Sequence, residues 1–366
     1  MLKVIEMKRK PNFIAVSVVF LIAVYSSVKI YSLYKPFEVV NFPSGQKWSQ
    51  RFSGEIVGLS IAEDGDLLVR TQSSIYDVNS DTGDVIWKQA LTYMQSGAMP
   101  AKANNGNVYL ADDKDVWAIN QKTGHVLWKQ PLYNTKSWVT DVSVDAVIVN
   151  EIGAGILVYN ASTGKELWRK PACRGYVQAK VIENDVYMPC DGVDAYDMIS
   201  GERLWDDGLD SRIGNVAYKD NIIYYFIDSA KAYDLVDKKL VWDTPVAAIK
   251  NLEQFEIYDK NVFIYDASSI CMIDADKGFL LWCNRNMVYP QSPSVVGNIV
   301  YVFSGSRKSV LALDLLTGKE IGHLAFPKIS FLVVNRQLMV SLDGCVYIGN
   351  EKTVYGFCDS PDASTN

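Results

Sequence analysis

One pattern, repeated about every 40 residues, fills the chain from residue 40 onward and sharply restricts the folds open to it. It reads small or apolar–x–Asp/Asn–x–x–Thr/Ser–Gly–x–x–x–Trp, and is clearest at Ala118 to Trp128, Val158 to Trp168 and Ala195 to Trp205. The tryptophans that close it, Trp87, Trp128, Trp168, Trp205, Trp242 and Trp282, stand 37 to 41 residues apart. A period of that length is one supersecondary unit used repeatedly. Such units bury their apolar faces against one another, so they form one body where a 366-residue length alone would allow two or three domains.

Within each unit, short β-rich runs alternate with turn residues. The second unit has Val108–Leu110, Val116–Asn120 and Val126–Trp128 after a less regular strand near Ala98–Lys102, and the third has Ala146–Val149, Ile156–Tyr159 and Glu166–Trp168. Asn105–Gly106, Asn184–Asp185 and Gly297–Asn298 suit the tight corners between strands. Four strands per repeat with no helical periodicity predicts an all-β propeller of four-stranded blades.

The signature then has a mechanical meaning. Gly83, Gly124, Gly164, Gly201, Gly278 and Gly318 fall where the third strand turns into the fourth and positive φ is required. The Asp or Asn (Asn79, Asn120, Asn160, Asp197, Asp234, Asp274, Asp314) accepts from N–H groups of that turn. Each tryptophan, Trp48 included, is expected to lie flat between neighbouring blades with its N–H on a carbonyl.

Counting units gives eight blades. Trp48 ends a shortened signature with no three strands before it, whereas Val354–Cys358 is a third strand with no fourth after it. The strand near Gln46–Arg51 is therefore expected to complete the last blade and close the ring. The seventh unit, Ala312 to Gly322, keeps Thr317 and Gly318 but has no tryptophan, which reads as decay of the motif. The propeller is expected over 43–358, with a linker at 35–42 and a disordered tail at 359–366.

The first residues differ. Lys3, Lys8, Arg9 and Lys10 precede an apolar run from Phe13 to Val28, followed by Lys29, Tyr31 and Tyr34. A basic cytoplasmic tail (1–12) and one transmembrane helix (13–34) are expected, with the propeller across the bacterial inner membrane in the periplasm. Secretion after signal cleavage is the alternative. Six cysteines fall into three sequential pairs, Cys173 with Cys190, Cys271 with Cys283 and Cys345 with Cys358, none with C-x-x-C spacing. They read as disulfides of an oxidising compartment. The last pair is expected directly opposite on adjacent strands, while a bulge at Gly278 decides whether Cys271 meets Cys283.

A net charge of −6 with interspersed signs argues against nucleic acid as a partner. No hydrolase, metalloprotease or phosphate-loop motif is present, and His125 and His323 read as surface turn residues.

The signature resembles the tryptophan-docking repeat of the quinoprotein (PQQ-like) β-propeller family over about residues 40–358. The resemblance implies either dehydrogenases that hold PQQ and calcium over the propeller axis, or non-catalytic scaffolds similar to the propeller of the outer-membrane β-barrel assembly machinery. The enzymes carry an adjacent cysteine pair, a catalytic Asp and long insertions. No two cysteines are adjacent here and the inter-blade segments are short. The expectation is thus a non-enzymatic, cofactor-free scaffold for protein partners in the cell envelope, with a PQQ- or sugar-binding sensor or dehydrogenase as the alternative. Partner contacts are expected in the inter-blade loops, through Lys136, Trp138, Arg174, Arg212, Lys250 and Tyr289, with Lys328 extending a basic rim. Trp138 stands outside the docking register beside Lys136, which makes it a candidate anchor, with packing in the blade core or channel lining as the alternative. Trp117, on a third strand, reads as core.

Overall fold

The computed structural model describes residues 38–359 except 93–98, 134–135, 172–178, 190–192, 207–215, 250–253, 288–289, 306 and 327–338. The expected transmembrane helix, the basic tail and the residues after 359 lie outside the described residues. Among the described residues no helix is long and apolar enough to cross a membrane.

Eight antiparallel sheets follow one another along the chain. Blades 1 to 7 occupy 56–90, 102–131, 137–170, 180–206, 216–244, 254–284 and 290–325, each a four-stranded meander in chain order. Blade 8 is assembled from both ends of the ring. Met339–Leu342, Cys345–Asn350 and Thr353–Asp359 are its first three strands, and Ser44–Arg51 is its fourth, antiparallel to the third. The first strand of blade 2 runs Lys102–Asn104, slightly later than expected. Asn105 and Gly106, at φ 51° and 72°, make the corner after it. In blade 4 the corner moves one residue back, with Glu183 at φ 54° and Asp185 already in strand.

The core is not one mass but eight clusters, each shared by two adjacent blades. Strands buried on both faces, such as Val147–Val149 and Val300–Val302, follow from this arrangement. The signature supplies the joint between blades. Every third-to-fourth pairing carries a bulge that leaves one extra residue before the tryptophan position, for example Leu127 between Val126 and Trp128. The bulge re-aims the ring towards the next blade. There the indole N–H donates to a carbonyl: Trp48 to Ser80, Trp87 to Gln121, Trp128 to Ala161, Trp168 to Met198, Trp242 to Ala275 and Trp282 to Leu315, at 2.5–2.9 Å. The ring face lies on the signature glycine of that blade. A Cβ on Gly164, which has φ 70°, would stand 2.6 Å from Cδ2 of Trp128. Trp205 holds the same register opposite Ala195, but its side chain lies outside the described residues. The turn itself is tied by its acid or amide: Thr163 N–H donates to Asn160 at 2.9 Å and Thr317 N–H to Asp314 at 2.8 Å.

Blade 5 breaks the glycine rule and shows its cost. Lys238 occupies the glycine position at φ 51°, while Asp234 still accepts from the Asp237 N–H at 2.8 Å. A left-handed conformation costs a side-chain-bearing residue about 1–2 kcal/mol, partly offset by the greater chain entropy of glycine when unfolded. Lys238→Gly is accordingly expected to stabilise the protein by about 0.5–1 kcal/mol, raising Tm by about 1–2 °C. An unchanged or lower Tm would show that Lys238 is not strained.

Two expectations need correction at the seam between blades 7 and 8. The segment 35–42 is not simply a linker: Glu38–Val40 is a fifth strand on the outer edge of blade 7, with Glu38 opposite Ala325 and Val40 opposite His323. The missing tryptophan at Gly322 is not decay either. A docking tryptophan needs the third-to-fourth turn of the following blade, and in blade 8 that turn does not exist, because those two strands come from opposite ends of the chain. The space belongs instead to the incoming backbone: a Cβ on Gly322 would lie 2.0 Å from the carbonyl oxygen of Asn41. Phe42 then enters the interface in place of an indole, 5.2 Å from the ring of Tyr301 and 5.5 Å from that of Phe357. Ser44 adds a hydrogen bond to the Tyr301 hydroxyl at 2.7 Å. Gly322, Asn41 and Phe42 are one device, required by closing the ring with a strand from the N-terminal end.

Candidate interaction face and axial channel

An antiparallel meander sorts its connections onto two faces. The third-to-fourth turns, with the signature, share one face. The inter-blade connections share the other with the second-to-third turns. The inter-blade face is where the copies differ, which makes it the candidate face for specific recognition.

Arg174, Arg212, Lys250, Tyr289 and Lys328, five of the residues expected to bind a partner, lie outside the described residues, so the basic rim is represented by Lys136 alone. Lys136 is exposed, and its carbonyl accepts from the Ile152 N–H at 3.0 Å. Trp138 corrects the expectation. It sits on Ser137–Val142, the first strand of blade 3, and is only 5% exposed, so its ring is part of the interior. Ser137 and Val139 on either side of it are buried as well, so this strand is covered from its first residue.

The exposed aromatic of that connection is Tyr133, five residues earlier and 67% exposed. Its ring carries the guanidinium of Arg169 at 4.4 Å, and its hydroxyl accepts from Arg169 at 2.9 Å. Arg169 is itself clamped by Glu166, whose carboxylate pushes the guanidinium further above its ordinary range. A large ring fixed in this way costs little side-chain entropy on binding. Sequence reading passed over Tyr133 because the stacking partner lies in blade 3. The period does contain the signal, since Arg169 immediately follows a docking tryptophan on an outer strand.

Buried charge holds the same face together nearer the axis. Arg70, 1% exposed, donates to the carbonyl oxygens of Met99 and Ala111, binding the blade 1 to blade 2 connection to blade 2. Burial pushes its pKa down to about 10. Asp112 beside it accepts from the Thr92, Lys114 and Asp115 N–H groups and from the Trp117 indole at 2.8–3.0 Å. Trp117 is buried, and these contacts fasten loops to the ring.

The bridges Cys271–Cys283 and Cys345–Cys358 are formed. In blade 6 the bulge falls at Leu281, between Leu280 and Trp282, and so leaves Cys271 and Cys283 directly opposite. Cys345 and Cys358 are likewise register partners. Cys173 and Cys190 lie outside the described residues. His125 is exposed in its turn, but His323 is in the outer strand of blade 7, covered by Val40 and 3.0 Å from Glu320.

The first strands adjoin around the axis and line a channel. Its wall is polarised. On blades 3 and 4, Asp141 accepts from Lys180 at 3.1 Å and from the Val181 N–H at 2.9 Å. Lys102 of blade 2 lies in the field of both, its pKa lowered by burial. Blade 6 contributes Glu256 with Tyr258 and Tyr265. Among the described residues no group of three or more His, Cys, Asp or Glu could hold a metal ion.

No curated protein matches the chain by sequence. Among solved structures, BamB from Moraxella catarrhalis shares the fold at 15% identity and a TM-score of 0.67, covering 86% of this chain and 99% of that one. The computationally designed Ika8 protein does so at 17% identity and a TM-score of 0.64, with 86% and 100% covered. The quinohemoprotein alcohol dehydrogenase ADHIIG from Pseudomonas putida HK5 is similar at 14% identity and a TM-score of 0.59, with 88% and 77% covered. A family model described as outer membrane protein assembly factor BamB matches residues 39–184 and 190–363. With that match spanning most of its length, the chain belongs to this family of PQQ-like β-propellers.

Proposed function

We propose that this propeller is a membrane-anchored periplasmic scaffold that holds a folded domain of another envelope protein on its inter-blade face, without catalysis of its own. The family match over both halves of the ring carries the reading. Three further observations support it. Tyr133, pre-organised by Arg169, offers a fixed amphipathic ring on that face. The two disulfides suit an oxidising compartment. The N-terminal strand enters blade 7 at Ala325, the inter-blade end, and only residues 29–37 separate it from the apolar run. Nine residues reach at most about 32 Å. An anchor there would hold this face near the bilayer, within reach of a partner that is itself embedded or attached.

Among the described residues, the side chains speak against a quinone–calcium centre. The described cysteines are spent in cross-strand bridges within blades, and the axial acids stand singly, Asp141 with lysine and Glu256 with phenols.

The test is crosslinking of the full-length chain in membranes, followed by recovery of its partner. Tyr133→Ala with Arg169→Ala is expected to reduce recovery about thirtyfold, the effect of losing a central anchor worth about 2 kcal/mol. The variant should keep the parent Tm within about 2 °C, because both side chains are surface-exposed. Undiminished recovery would remove Tyr133 from the interface; absence of any stable protein partner, together with a Tm raised by added PQQ, would overturn the scaffold reading.

A further inference from the structure

Among the described residues, Glu256 is a carboxylate enclosed without a cation. It lies on Gln254–Tyr258, the axial strand of blade 6, on the side of the sheet that packs towards blade 7, enclosed by protein yet partly exposed. Two phenols satisfy it: Tyr265 donates to Oε1 at 2.7 Å and Tyr258 to Oε2 at 3.3 Å. No charged side chain stands with it among the described residues; the lysines of the channel, Lys102 and Lys180, gather around Asp141 on blades 2 to 4.

Two donors leave about half of a carboxylate's acceptor capacity unused. Burial without a counter-charge pushes Glu256 up to about 7 and Tyr258 well above the ordinary phenol range. Period-two alternation puts Glu256 and Tyr258 on the same side of the strand, and Tyr265 reaches them from the adjacent strand. The Tyr258 ring is braced edge-on against Phe263 at 6.0 Å. A fixed anionic oxygen pair flanked by aromatic rings is the arrangement that recognises an organic cation, through charge-assisted hydrogen bonds and ring quadrupoles.

We propose that Glu256, with Tyr258 and Tyr265, forms a binding site for an alkylammonium group that enters along the propeller axis. The site does not depend on the scaffold reading. The ammonium belongs either to a small amine or to a lysine side chain that a bound protein inserts into the channel, and the chemistry at Glu256 is the same.

The sign of the linkage gives the conditions. An acid whose folded pKa is raised contributes stability that is present below the ordinary carboxylate range and is lost as pH rises through about 7. The described groups facing Glu256 are the phenols of Tyr258 and Tyr265, and burial holds Tyr258 well above the ordinary phenol range. A bound ammonium therefore restores most stability at pH 8, where Glu256 is ionised.

The experiment titrates the full-length protein at pH 8 and pH 5.5 with n-butylammonium and with a lysine-containing peptide, reading Tm and calorimetric binding. Expected is saturable binding of at least one probe at pH 8, weakened about tenfold or more at pH 5.5 and about tenfold or more in Glu256→Gln. The amide keeps an acceptor for the phenols, so Glu256→Gln should fold with a Tm at pH 8 no lower than the parent's. Tyr258→Phe, a second variant, should weaken binding while leaving the Tyr265 hydrogen bond to Glu256 in place. Binding of butylammonium identifies a small-amine site, and binding of the peptide alone identifies a partner's lysine. No saturable binding of either probe, or equal binding by Glu256→Gln, overturns the proposal. Loss of the protein partner in crosslinking bears on the scaffold reading only.

Discussion

Gly322→Trp, which would complete the signature of the seventh blade, is expected to destabilise the protein by about 3 kcal/mol or more. Even the first atom of the new side chain would stand 2.0 Å from the Asn41 carbonyl oxygen and 2.4 Å from its carbon. Both are backbone atoms, and they move only if Val40 separates from His323 and Phe42 leaves its place against Tyr301 and Phe357. Overpacking alone costs about 1–3 kcal/mol, and loss of a buried phenylalanine costs about 3–5 kcal/mol. Denaturant unfolding measures the loss, and amide exchange at Glu38–Val40 should rise with it. A variant at least as stable as the parent would mean that the chain can leave Gly322 without consequence.

The second large effect is expected at Gly164. Gly164→Ala meets two penalties: a left-handed backbone at φ 70°, and a Cβ 2.6 Å from the Trp128 ring that rests on it. The first costs about 1 kcal/mol and the second about 1–3 kcal/mol, for a total of about 2–4 kcal/mol. Gly106 separates the two. It has φ 72°, but a Cβ there would meet nothing within 4 Å, so Gly106→Ala should cost only about 1 kcal/mol. Equal losses at both sites would show that the indole does not press on its glycine.

What the sequence made legible was whatever the repeat states more than once. Gly164 and Trp128 recur in register, so their neighbours, the turn at Asn160 and the bulge at Leu127 could be inferred from spacing and parity. Cys345 and Cys358 were legible because a short turn sets two strands in opposition. Glu38–Val40 and Phe42 occur once, at the seam, and carry no periodic signal; only three-dimensional closure shows that Gly322 is vacant for them. Trp138 and Tyr133 illustrate the other limit. Both fall in one segment between Trp128 and Thr140, and which of them is buried depends on where the first strand of blade 3 starts, which the sequence does not mark. Glu256 is intermediate, since an acid at the axial strand could be seen, but its phenol partner Tyr265 comes from tertiary register.

The fifth strand on blade 7 also determines how the ring responds to force. Tension applied ahead of Glu38 and away from the inter-blade face runs along the strand, so the pairs with Ala325, Leu324 and His323 share the pull in shear. Phe42 is the first stop, because withdrawing it opens a cluster shared by two blades. Past that point the strand Ser44–Arg51 is peeled from Thr353–Asp359 starting at its Ser44 end, pair by pair, and the circle becomes an open row of blades. A tug at the N-terminal end thus reaches one joint before all the others, while the remaining seven are spared until the ring has parted.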